Sequence, residues 1–184
     1  EALRAQALVT LFPRVGEAIE HGFRVDAEYF YPASTVKVCA CFAALQLCAA
    51  SESELGVRIE LDTPYRLQPL SGVDDEPIAS SSTIRVDIRR VCLVSDNPSF
   101  NRLFDLVGHQ RLNESMHALG LTSVVMNHRL SDPRSIAEHR RTAGLRFEIA
   151  PGRFVSLLER VSSLDLQNSG VRGLRAGRAH VVGD

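Results

Sequence analysis

The stretch STVKVCACFAALQLCAA, residues 34–50, decides how this chain folds. It is apolar on nearly every side, which predicts a helix buried at the centre of a domain. Pro32 precedes the stretch, and Ser34 is placed to lie at or near the N-cap of the helix. Because the apolar run 38–50 contains Gln46 and is too short to cross a bilayer, we expect no transmembrane segment.

Length and composition restrict the class of protein. With 184 residues, of which 45% are hydrophobic and 23% charged, the chain suits one globular domain, expected to span residues 1–184. The formal net charge of -1 provides no basic surface, so we expect no nucleic-acid partner. The four cysteines form no C-x-x-C pair and are interpreted as small buried hydrophobes, and the six histidines as surface or hydrogen-bonded polar residues. We therefore expect no metal site.

The remaining segments predict a mixture of strands, helices and loops. Strands or extended segments are expected at 7–12, 22–31, 121–126 and 145–149, helices at 85–93, 98–107, 111–119 and 153–161, loops at 51–82 and 127–142, and the start of a hairpin at 172–184. Because the tail has little sign of a completed final element, we interpret the chain as a fragment that lacks C-terminal strands.

Lysine usage singles out one residue. Of the 21 basic residues, Lys37 is the single lysine and the other 20 are arginines. A coding bias toward arginine explains most of that excess. The exception is informative, because an arginine side chain does not lose its proton in proteins whereas a buried lysine can. Lys37 is therefore a candidate functional residue.

Ser34 and Lys37 form an S-x-x-K motif. Residues three apart on a helix are neighbours on one face, so the Lys37 amine can reach the Ser34 hydroxyl. A neutral lysine can act as the base that makes a serine nucleophilic, and free backbone N–H groups at the start of a helix can stabilise an oxyanion. Matches to so short a motif are common by chance. Here the match has more weight, because the lysine is unique in the chain and the helix is predicted to be buried.

A second motif is Ser95-Asp96-Asn97, directly before Pro98. By itself this sequence is typical of a helix N-cap. A tight turn of this composition also presents a hydroxyl and a side-chain amide, which can relay a proton and hold an acyl substrate.

Together, FYPASTVK at 30–37 and VSDNPSFNRLF at 94–104 resemble the class A β-lactamases and the related penicillin-binding proteins, which carry S-x-x-K, S-D-N and K-T-G motifs. The resemblance runs from about residue 23 to residue 129. The sequences FYPASTVK and NHRLS are more similar to a less-studied branch of β-lactamase-like serine hydrolases than to the well-known resistance enzymes. The resemblance implies an α/β (α+β) fold with an all-helical lobe packed beside an antiparallel sheet lobe.

The resemblance also implies roles for individual residues. Ser34 would be the acylated nucleophile, and Lys37 would take its proton directly or through water. Ser95 would relay a proton toward the leaving nitrogen, and Asn97 would bind the side-chain amide of the substrate. Asp96 would be structural.

Two parts of the family pattern are missing. The single lysine leaves none for a K-T-G motif, and RTAG at 141–144 is the nearest imitation but comes too early in the chain. Class A enzymes also use an Ω-loop glutamate to activate the deacylating water. The acids in the corresponding region are Asp132 and Glu138, neither in the Glu-x-x-Leu-Asn pattern, and solvated loop charges are the default interpretation.

The leading hypothesis is a serine hydrolase that is acylated at Ser34 by a β-lactam or related amide and then hydrolyses the acyl-enzyme. The alternatives are a D-Ala-D-Ala peptidase, penicillin-binding protein or esterase, and a non-catalytic module that binds peptidoglycan peptides or a protein partner. No cofactor is implied. The resemblance implies an extracytoplasmic location, although residues 1–10 lack a signal-peptide pattern. Oligomeric state is left open.

Overall fold

A computed structural model describes residues 5–25, 32–70, 80–122 and 124–166. Its helices are α1 (Lys37–Leu55), α2 (Ile84–Val94), α3 (Asn97–Val107), α4 (His109–Ala118) and α5 (Ile136–His139), and a 3₁₀ helix at Ala33–Val36 leads directly into α1. Its strands are β1 (Ala7–Leu11), β2 (Ile19–Phe23), β3 (Pro64–Leu67), β4 (Ser82–Thr83), β5 (Arg141–Thr142), β6 (Leu145–Ala150), β7 (Arg153–Leu157) and β8 (Arg160–Val161). The described residues therefore have an α+β composition.

Helix α1 is the centre of the helical part and packs against α2, α3 and α4. Eight of its residues are buried, and Gly56, with φ of 67°, ends it in the left-handed conformation. The helix runs five residues beyond the predicted end at residue 50. It is also less enclosed than predicted, because Val38, Phe42 and Leu45 form a stripe at helical spacing that is 40–55% exposed.

The segment Ala33–Leu55 is, among the described residues, the one helix long and apolar enough to cross a membrane. Length and composition alone do not separate such a span from the core helix of a globular domain. Its packing against three other helices fits a core helix.

A four-stranded antiparallel sheet has the order β4-β3-β6-β7. Tyr65 of β3 and Phe147 of β6 are paired across the sheet with ring centroids 6.0 Å apart, and the Tyr65 hydroxyl donates to Asp87 of α2 at 2.7 Å. The sheet is thereby tied to the helices through a buried tyrosine. The strand expected at 145–149 is confirmed as β6.

The helix expected at 153–161 is wrong, since this segment forms β7 and β8. Gly152, with φ of 71°, allows a tight turn after β6, and β7 then pairs antiparallel with β6. The apolar spacing of this segment fits a short helix, but pairing with a neighbouring strand decides the outcome.

Strands β1 and β2 form a separate two-stranded hairpin. The strand expected at 7–12 is confirmed, whereas the second strand begins three residues earlier than predicted, and residues 26–31 lie outside the described residues. Val9, Leu11, Ile19 and Phe23 share one face of the hairpin by register, and each is at least half exposed.

The predictions for the other segments have mixed outcomes. The helices expected at 85–93, 98–107 and 111–119 are confirmed as α2, α3 and α4, while 121–126 contains no strand among its described residues. Cys39 and Cys41 are buried as expected, but Cys92 is exposed, so the cysteine prediction is wrong there; all four cysteines are free thiols. The hairpin expected at 172–184 lies outside the described residues.

Candidate active site

Ser34 lies within the 3₁₀ helix and is exposed, and its backbone carbonyl accepts the N–H of Lys37. It is not an N-cap: Pro32 and Val36 occupy the N-cap positions of the 3₁₀ helix and of α1. The preceding residue, Ala33, has φ of 47°, a strained conformation for a residue with a side chain. The serine is thus presented to solvent on a constrained turn that leads directly into the core helix.

Lys37 is buried, with 2% of its surface exposed, at the first position of α1. Its amine donates to Ser95 Oγ at 3.0 Å and to Asn97 Oδ1 at 2.5 Å, and also to the backbone carbonyl of Ser95. Burial lowers the pKa of Lys37, and the nearby charge of Asp96 opposes that shift. Among the described residues, the hydroxyl of Ser34 is not a hydrogen-bond partner of this amine, which is turned toward the Ser95–Asn97 turn.

The Ser95–Asn97 turn joins α2 to α3. Ser95 has φ of 56° and ends α2, while the Asp96 carboxylate accepts the backbone N–H of Ser99 at 2.7 Å and caps α3. The hydrogen bonds from Ser99 lower the pKa of Asp96. The N-cap interpretation and the functional one therefore both fit: Asp96 is the cap, and its two neighbours contact Lys37.

Successive turns of α3 contact successive residues of the loop that follows α4, and the order along the loop is the reverse of the order along the helix. Asn97 Nδ2 donates to Ser131 Oγ at 2.7 Å. One turn later, Asn101 binds both backbone groups of Leu130, at 2.9 and 2.8 Å. One turn later again, Asp105 forms a buried ion pair with Arg129. Sequence reasoning missed these contacts, although Asn97, Asn101 and Asp105 are spaced four residues apart and so share one face of a helix.

A family model described as "Beta-lactamase enzyme family" matches residues 20–172. The chain belongs to this β-lactamase family. The match includes Ser34, Lys37, Ser95 and Asn97, and it confirms the resemblance found in the motifs. It identifies the chain as a β-lactamase-like serine hydrolase at the level of the family. No curated protein and no solved structure matches the chain.

The two carboxylates considered for deacylation both have structural partners. Burial acts to raise the pKa of Asp132, but the hydrogen bonds and charge of Arg134 outweigh it and lower the pKa to about 2. Glu138 is exposed and forms a capping box with Ser135 at the start of α5, and the Ser135 hydrogen bonds lower its pKa. Each carboxylate is held by its own neighbours, and a role for either in deacylation stays a prediction.

The segment RTAG at 141–144, the nearest imitation of the family's K-T-G motif, lies in the core. Thr142 is 1% exposed and its hydroxyl donates to the Arg160 carbonyl at 3.4 Å, while the Ala143 N–H donates to Asp105 at 2.9 Å. The Arg141 side chain is paired with Glu159. These contacts support β5 and the Asp105 ion pair.

The Asp105–Arg129 pair is part of a larger buried network. Arg129 is 2% exposed, contacts His139 Nδ1 at 3.2 Å and donates to the Arg141 carbonyl at 3.0 Å. Burial, with the adjacent Arg129 charge, lowers the pKa of His139 to about 4. At neutral pH this histidine is uncharged, so its Nδ1 can accept a hydrogen bond from Arg129. The placement of His139 agrees with the prediction that the histidines are surface or hydrogen-bonded polar residues.

A cleft of about 500 Å³ lies at the other end of α1 and does not include Ser34 or Lys37. Its charged side chains include the bidentate Arg85–Asp62 pair and the Arg58–Glu60 pair. It is lined by Cys48, Ala49, Glu52, Arg58, Ile59, Glu60, Leu61, Asp62 and Arg85. These two ion pairs use four of the five charged side chains that line the cleft. In the described ranges, no group of histidine, cysteine and carboxylate side chains has the arrangement of a metal site.

Proposed function

We propose that this chain is a serine acyl-transfer enzyme of the class A β-lactamase type, acylated at Ser34 by a β-lactam or a related amide. One observation carries the proposal: the only lysine of the chain is buried and donates to Ser95 Oγ and Asn97 Oδ1. A buried lysine with a lowered pKa and two polar partners fits a base better than a structural surface charge.

In the proposed acylation, Lys37 in its neutral form takes the Ser34 proton, directly or through water. The serine oxygen then attacks the substrate carbonyl carbon, and the carbonyl oxygen becomes an oxyanion. Backbone N–H groups at the start of the 3₁₀ helix are suited to stabilise that charge. Collapse of the intermediate breaks the carbon–nitrogen bond, and the Lys37 proton passes through Ser95 to the leaving nitrogen. Asn97 holds the side-chain amide of the substrate.

Deacylation is the step that separates a β-lactamase from a penicillin-binding protein. In the segment 127–142, which was expected to be a loop but contains α5 and β5, Asp132 is held by Arg134 and Glu138 by Ser135, so both carboxylates already have partners. This arrangement favours the alternative in which the acyl-enzyme is long-lived, as in a D-Ala-D-Ala peptidase or penicillin-binding protein. A peptidoglycan peptide is then the natural substrate class, and an extracytoplasmic location is part of the proposal.

The test is the intact-protein mass after addition of a penicillin. We expect a stoichiometric adduct in the wild type, none in Ser34→Ala, and none in Lys37→Arg, because arginine cannot act as a base. Ser53→Ala is the matched control, since it removes an exposed hydroxyl from α1, the helix into which the 3₁₀ helix of Ser34 leads. The decay rate of the adduct distinguishes fast from slow deacylation.

Two results would contradict the proposal. An adduct that persists in Ser34→Ala would assign acylation to another residue. A folded wild type that forms no adduct but binds a peptidoglycan peptide reversibly would favour the non-catalytic binding module instead.

A further inference from the structure

Ser131 contacts the candidate site from the loop that follows α4. Its side chain is exposed, and its Oγ accepts a hydrogen bond from Asn97 Nδ2 at 2.7 Å. The other end of the same amide, Oδ1, accepts from the Lys37 amine at 2.5 Å. Ser131 is thus linked to Lys37 through a single side chain.

The backbone of Ser131 is strained and held on both sides. Its φ of 54° is in the left-handed region, which an L-residue with a side chain rarely adopts. On one side, Asn101 binds both backbone groups of Leu130. On the other side, the Asp132 carboxylate accepts the backbone N–H of Arg134 at 3.1 Å and pairs with its guanidinium. The loop therefore fixes the position of the Ser131 hydroxyl.

The two ends of an asparagine amide have opposite hydrogen-bonding character, since the oxygen accepts and the nitrogen donates. With Oδ1 toward Lys37, the amide accepts from the amine. Turned by half a rotation, it would direct N–H groups at the amine and remove that acceptor. The Lys37 ammonium only donates and therefore selects the first orientation, whereas a hydroxyl can bond either end of the amide. The Ser131 hydroxyl instead anchors the Nδ2 end and so holds the Asn97 side chain in the rotamer that reaches Lys37. It occupies one of the two N–H groups and leaves the second for the carbonyl of a substrate amide.

We propose that Ser131 is a positioning residue that anchors the Asn97 side chain in the rotamer that serves both Lys37 and the substrate. This inference rests on the proposed function at Ser34. Ser131 acts through Asn97 and need not touch the reacting atoms.

The single lysine allows a direct test. Lysine labelled with carbon-13 at Cε gives a single resonance, so NMR titration measures the pKa of Lys37 alone. The charged group near the amine is Asp96, which every variant retains. The test variant is Ser131→Gly, because glycine accepts the positive φ and removes only the hydroxyl. The matched control is Ser135→Ala, which removes a hydroxyl of the same loop that caps α5 and does not contact Asn97.

In Ser131→Gly we expect a lower Lys37 pKa, because the unanchored Asn97 side chain leaves the amine in part of the population and the ammonium then lacks one acceptor. We also expect acylation by a penicillin to slow by about 5-fold to 10-fold, the size of effect that loss of one hydrogen bond produces. The acid limb of the acylation rate should move to lower pH together with the measured Lys37 pKa. Ser135→Ala should change neither quantity.

An unchanged Lys37 pKa in Ser131→Gly would overturn the inference, including the case in which acylation slows, because that result would reflect loosening of the loop. Equal shifts in Ser131→Gly and Ser135→Ala would overturn it as well. A wild type that is never acylated would contradict the proposed function. The pKa difference between the variants would still decide whether Ser131 anchors Asn97.

Discussion

Replacement of Arg129 by methionine tests the buried ion pair that holds the loop to α3. Arg129 donates to Asp105 through Nε at 3.0 Å and through Nη2 at 2.5 Å, and both side chains are at least nine-tenths buried. Methionine fills most of the volume, but of the residues that the structure describes only Ala143, through its N–H at 2.9 Å, would still donate to the Asp105 carboxylate.

A buried charge that loses its partner costs about 3–5 kcal/mol of stability. For a domain whose total is about 5–15 kcal/mol, this is a large fraction. At about 2–4 °C per kcal/mol for a chain of this size, the thermal midpoint should fall by about 6–20 °C. Urea denaturation followed by circular dichroism gives the free energy of unfolding, and calorimetry gives the midpoint.

The control is Arg85→Met, which breaks an exposed bidentate pair with Asp62. That pair is solvated, so the midpoint should stay within error of the wild type. If Arg129→Met costs less than about 1 kcal/mol, or no more than Arg85→Met, the reasoning from burial is refuted. The double variant Arg129→Met with Asp105→Asn should recover part of the loss, since no charge is left buried.

Four further outcomes follow from the structure. The pKa of His139 is about 4 in the folded protein, below its value of about 6.5 in the unfolded chain, so the free energy of unfolding should fall as the pH drops from about 6.5 to 4. In His139→Gln this pH dependence should be weaker, as measured by urea denaturation at a series of pH values. Asp132, with a pKa of about 2, should contribute a separate loss between pH 4 and 2, absent in Asp132→Asn. Gly144→Ala should lower the thermal midpoint, because a Cβ there would lie 3.0 Å from a backbone carbonyl of β7. Asn101→Ala should lower the free energy of unfolding by about 1–3 kcal/mol, since both backbone groups of Leu130 lose their partner. An unchanged denaturation midpoint would contradict the supporting role of these two hydrogen bonds.

Local signals in the sequence were sufficient for most of the helices. Asp96 before Pro98 predicts the start of α3, and the structure has the cap and the proline there. The helix expected at 153–161 failed because its apolar spacing is compatible with two structures, and pairing with β6, a non-local contact, selects the strand. The exposed stripe of α1 could not be foreseen, since composition shows that a helix is apolar but not which of its sides other elements cover.

The candidate site was predictable to the extent that its residues stand in short motifs. The unique Lys37 and the Ser95–Asn97 turn are visible in the sequence, and the structure brings them together across 58 residues of chain. Ser131 was not predictable, because its contact with Asn97 depends on a left-handed backbone that serine rarely adopts. Contacts of this kind depend on the placement of a whole loop, which no local pattern encodes.

The reverse-order pairing between α3 and the loop has a consequence for how this protein tolerates insertions and deletions. Four residues of helix rise about 6 Å, and each such step is matched by a single residue of the loop. Adding or deleting one residue between Arg129 and Ser131 would displace partners of Asn97, Asn101 and Asp105 together. Length changes after Asp132 would leave all three in register. Sequence variation in loop length is therefore expected to concentrate beyond that point, where the site could be reshaped without losing its support.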